Sequence, residues 1–120
     1  MEIEKIEGLP PEFAQRIAPL CAGNEWLRMA EDIKRGIAEL FSINAGESVA
    51  VTRFDTDICE LVVLAYEGRN VMDFARVMVA AGKNNGARTI KYHTRRRGMA
   101  RLLSQLGAVE VETVYVVNLE

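Results

Sequence analysis

Between residues 83 and 101 the chain carries seven bases and no acid: Lys83, Arg88, Lys91, Arg95, Arg96, Arg97 and Arg101. A cluster this dense can stand open to solvent, grip phosphate groups through guanidinium N–H donors, or meet nucleic acid or an acidic partner. Tyr92 is the only aromatic interleaved with it, which argues against a stacking platform for nucleic acid. His93, the only histidine, sits directly before Thr94 and the arginine run. An imidazole there can serve as a base, touch a ligand, or simply be a solvated strand end. Gly68-Arg69-Asn70 separates an apolar run from an amphipathic one. Asn70 suits a helix cap, and Arg69 offers its charge to an anion. Cys21 and Cys59 lie 38 positions apart with no C-x-x-C pair and no histidine cluster, so they read as buried thiols and no metal site is expected.

These residues need elements to hold them. Ile3 and Ile6 fit a short first strand, and Gly8 to Pro11 breaks it before a helix through Phe13, Ile17 and Leu20, with a kink at Pro19. A second amphipathic helix, capped by Asn24, runs through Trp26, Ala30, Ile33, Ile37 and Leu40/Phe41. Ser48 to Phe54 and Ile58 to Tyr66 form a hairpin about Asp55-Thr56-Asp57. A third helix presents Val71, Phe74, Ala75, Met78 and Ala81 on one face, Arg88 to His93 is a strand, and a fourth helix buries Met99, Leu102, Leu103 and Leu106 before a left-handed Gly107. Val109 to Leu119 closes the order as a strand. The reading is mixed α/β: strand-helix-helix-strand-strand-helix-strand-helix-strand, one domain over residues 1–120.

Composition agrees with one folded domain. Hydrophobic residues are 49% and charged residues 27% of 120, unlike the low hydrophobicity and high net charge of a disordered chain. No apolar run approaches the roughly 20 residues of a membrane span, and the first residues alternate Glu and Lys with Ile rather than forming a leader. A cytoplasmic protein is expected.

From about Asp57 to Leu119 the chain resembles the C-terminal half of a GNAT N-acyltransferase. The resemblance is carried by Gly86-Ala87-Arg88-Thr89-Ile90, the basic turn, and the helix end Leu102-Leu103-Ser104-Gln105-Leu106-Gly107-Ala108. The Leu-Gly-Ala ending is also similar to short GNAT-like proteins of tailed phages. Acetyl-CoA as cofactor and an amine substrate, small molecule or protein, are what this resemblance implies. It also implies backbone donors near Val63 to Ala65 for the acyl carbonyl and a phosphate turn at Gly68, Arg69, Asn70 and Val71. Arg96 would add charge near the cofactor, and Glu60 would act as a carboxylate base. The chain departs from the family pattern where Arg69 and Val71 stand at two glycine positions, where Leu103 replaces a proton-donating tyrosine with only Ser104 beside it, and where two strands rather than three separate the second and third helices. Tyr92 and Tyr115 read as strand-packing residues. Two functions follow: an acyl-CoA-dependent N-acetyltransferase, or a non-catalytic GNAT-like domain, such as a phage accessory or structural protein, that binds a protein partner or forms a homo-oligomer.

Overall fold

A computed structural model describes residues 1–94, 97–111, 117 and 119. Strand β1 (Ile3–Ile6) leads to helix α1 (Pro11–Ile17), whose first position is a proline preset for a helical start. A 3-10 turn (Ala18–Leu20) takes up Pro19, so the expected kink is a change of helix type. Then follow α2 (Glu25–Lys34), β2 (Glu39–Ile43), β3 (Ser48–Asp55), β4 (Glu60–Glu67), α3 (Val71–Asn84), β5 (Thr89–Tyr92) and α4 (Arg97–Ser104).

The mixed α/β fold agrees with the sequence reading, but its order gains a strand. The second helix does not reach Phe41. It stops at Lys34, because Gly36 adopts φ +77° and turns the chain: Ile37 N–H donates to Asp32 C=O at 2.9 Å, and Gly36 N–H to Ile33 C=O at 3.1 Å. This paired geometry is a Schellman stop, and it releases Glu39–Ile43 to pair with β1 and β3. Three strands therefore separate α2 from α3, and that departure from the GNAT pattern disappears. The expected strand from Val109 begins without regular structure at Val109–Val111. Its remainder, Tyr115 included, falls mostly outside the described residues.

The sheet order is β1-β2-β3-β4-β5, antiparallel up to β4 and parallel between β4 and β5. One face buries Ile17, Met29, Ile33, Leu40, Val49 and Val51 under α1 and α2. The other packs Ile43, Ala50, Val63, Tyr66, Phe74 and Met78 under α3. Ala75, Met99 and Leu103 join α3 to α4. Both cysteines are only half-buried, contrary to the expected buried thiols. Cys59 occupies the left-handed region at φ +51° in the β3–β4 turn, and its thiol donates to Thr56 C=O at 3.7 Å.

Candidate functional site

The five-residue apolar run from Leu61 to Ala65 contains one residue too many for a regular ladder. Val51 pairs with Ala65 and Thr52 with Val63, so Leu64 is bulged out of the β3–β4 register. The bulge changes which way side chains point. Val63 faces α3, Leu64 and Ala65 both pack toward α1, and Tyr66 returns to the α3 face. Such a bulge bends and twists its strand.

The parallel ladder ends at the same place. Glu60, Leu61, Val62 and Val63 pair with Thr89, Ile90, Lys91 and Tyr92. Arg88 N–H donates to Cys59 C=O at 2.7 Å at one end, and His93 N–H donates to Val63 C=O at 3.0 Å at the other. Beyond that bond Leu64 to Glu67 have no partner in β5. Backbone polar groups on that side of β4 must be met by water, by other protein groups or by a ligand, so an opening in the β4–β5 ladder begins after Val63.

Above the opening lies the loop into α3. Gly68 has φ +128°, and a β-carbon built on it would meet the side chain of Ser48 and stand 2.7 Å from the Ser48 α-carbon. Only glycine fits there. Arg69 N–H donates to Ser48 Oγ at 3.0 Å, and the same hydroxyl lies 3.0 Å from Arg69 C=O. The Tyr66 hydroxyl also donates to Arg69 C=O. Burial is the main cause pushing the Tyr66 phenol above its ordinary pKa, which keeps it a donor. Asn70 sits at the helix cap in the left-handed region, but its side chain makes no cap bond and instead donates to Glu47 Oε1 at 3.1 Å. Val71 packs its side chain inward between α3 and α4. The loop thus keeps Arg69 and Asn70 exposed, while the Arg69 amide is already occupied.

The structure separates the other expected site residues. Glu60 accepts a hydrogen bond from Thr89 Oγ1 at 2.9 Å, at the opposite end of the ladder from the opening. Four residues, about 13 Å of strand, separate it from Leu64. Ser104 is exposed and donates its hydroxyl to Arg101 C=O at 2.6 Å. Leu103, beside it, is buried in the core. His93 is exposed and enters the site through its backbone. Arg96 lies outside the described residues, and Arg88 and Arg101 are exposed.

Sequence reasoning missed Ser48 and Leu64. Ser48 is 1% exposed, and its loop contact spans 21 residues, a distance no local pattern reports. The bulge at Leu64 has no signal, because an unbroken apolar run has no period to interrupt. Two surface recesses, of about 420 and 230 Å³, touch neither β4 nor β5. Among the described residues no helix is long and apolar enough to cross a membrane, and no group of three metal-binding side chains converges.

A solved structure described as a probable acetyltransferase superposes on this chain with a TM-score of 0.59 at 13% identity, covering 100% of this chain and 98% of that one. The fold is GNAT-like. No family model and no curated protein matches the sequence. Within a GNAT-like fold the opening beside the bulge of β4 is the structural feature to which the sequence-derived positions Val63, Ala65, Gly68 and Arg69 are closest in the chain.

Proposed function

We propose that this chain is an acyl-CoA-dependent N-acetyltransferase whose cofactor arm enters between β4 and β5. The observation that carries the reading is the coincidence of two endings: the parallel ladder stops at Val63 and Tyr92, and the β3–β4 register slips at Leu64. Acetyl-CoA, when bound, supplies an acetyl group already activated as a thioester. The chain's own part is to position it. Backbone groups beyond Val63, which β5 leaves without a partner, hold the arm and polarise the acyl carbonyl. The amine proton passes to water, because Glu60 stands at the far end of the ladder, bonded to Thr89 and out of reach of the opening. The exposed Arg69 guanidinium meets phosphate by charge, since its own amide is held by Ser48.

That last bond favours a second reading. A turn whose amide is spent internally, above a helix that carries the buried Leu103 in place of a proton donor, suits a domain that binds a protein and does no chemistry. Calorimetric titration with acetyl-CoA and desulfo-CoA, using the wild type and Arg69→Ala, separates the two. Micromolar binding that weakens in the variant supports the transferase. No heat at millimolar cofactor overturns it and leaves the protein-binding reading.

A further inference from the structure

Two tyrosines project onto the α3 face from neighbouring strands, and they meet different fates. Tyr66 is 8% exposed, its ring lies 4.8 Å from that of Phe74, and its hydroxyl finds the Arg69 carbonyl. Tyr92 packs against the clusters of both α3 and α4, but its hydroxyl is buried without a hydrogen-bond partner among the described residues. Buried hydroxyls are nearly always satisfied, because an unmet donor forfeits the bonds it had in water. Phenylalanine would fill the same apolar space without that penalty. Position matters as well: Tyr92 pairs with Val63 on the last rung before the strands part.

We propose that the Tyr92 hydroxyl is a ligand contact, donating a hydrogen bond to a carbonyl or thioester acceptor of the acyl-pantetheine arm that enters the opening. This rests on the acyl-CoA reading and adds to it a residue that reads as packing in the sequence alone. Burial pushes the phenol up to about 12, so the group stays protonated and able to donate across the working pH range. The same apolar surroundings strengthen a bond to an acceptor once one arrives.

Tyr92→Phe separates a ligand contact from a structural role, because the two move stability and affinity in opposite senses. Removing an unmet hydroxyl leaves the thermal midpoint of the free protein unchanged or higher, whereas Tyr66→Phe, which removes a satisfied one, lowers it. Calorimetric titration with acetyl-CoA then shows affinity about 10-fold weaker in Tyr92→Phe than in the wild type. Equal affinity in the two proteins overturns the proposal while leaving the transferase reading intact. A lowered midpoint or loss of folding in Tyr92→Phe also overturns it, since the hydroxyl then has a partner in the free protein. Absence of wild-type binding removes the transferase reading itself, and this contact with it.

Discussion

Gly68 passes so close to Ser48 that an added β-carbon would stand 2.6 Å from the Ser48 β-carbon and 2.7 Å from its α-carbon. Backbone, not a movable side-chain tip, supplies part of that clash, and φ +128° is unfavourable for any residue with a β-carbon. Gly68→Ala is therefore expected to destabilise by about 3 kcal/mol, combining overpacking with backbone strain. Ser48→Ala should not rescue it, since the remaining β-carbon is one of the obstructing atoms. Urea unfolding of the two single variants and the double variant checks this, and a double variant more stable than Gly68→Ala would contradict it.

Arg16 ties α1 to the end of β4, just before the site loop, and to the β2–β3 turn. Its Nε donates to Glu67 Oε2 at 2.6 Å, and its other nitrogens reach the carbonyls of Gly46 and Glu47. A planar fork can serve three acceptors at once, which an ammonium on a flexible stem cannot reproduce. Arg16→Ala is expected to cost about 2 kcal/mol, with Arg16→Lys recovering less than half of it. Guanidinium-free denaturation in urea measures both, and full recovery by lysine would contradict the argument.

The Arg53–Asp55 pair adds a modest pH dependence. Arg53 donates to the Asp55 carboxylate at 2.6 and 3.1 Å, and these bonds are the main cause holding the Asp55 pKa below its ordinary 3.8. A depressed folded-state value means that the stabilisation is fully present above the unfolded value and fades as pH falls through the lower folded one. The pair is part-exposed, so the effect is at most about 1 kcal/mol. Asp55→Asn should be less stable than the wild type near neutrality, with the gap narrowing below about pH 4. A gap that stays constant down to about pH 2 would contradict the assignment.

The elements legible in the sequence were those with local stop signals and a clear period. Phe74, Ala75 and Met78 lie buried on α3 as their spacing predicts, and Gly107 takes φ +79° with Ala108 N–H bonded to Leu103 C=O. The same signal at Gly36 was hidden, because Ile37 and Leu40 continue the helical spacing of Trp26 and Ile33 past a stop that outweighs them. Ile37 proves 51% exposed, while Leu40 is buried through β2 instead. Within the candidate site, Gly68 and Arg69 were visible as a turn. Their attachment to Ser48 and the slip at Leu64 were not, since both depend on pairing with a strand distant in sequence.

The central claim is that the gap between β4 and β5 receives the acyl-CoA arm, and amide hydrogen exchange across β4 with and without saturating CoA tests it directly. The account predicts added protection at Leu64 to Glu67, with little change at Glu60 to Val62, which are already paired with β5. Unchanged exchange at Leu64 to Glu67 under saturating CoA, or protection confined to the basic segment around Arg88, would contradict it.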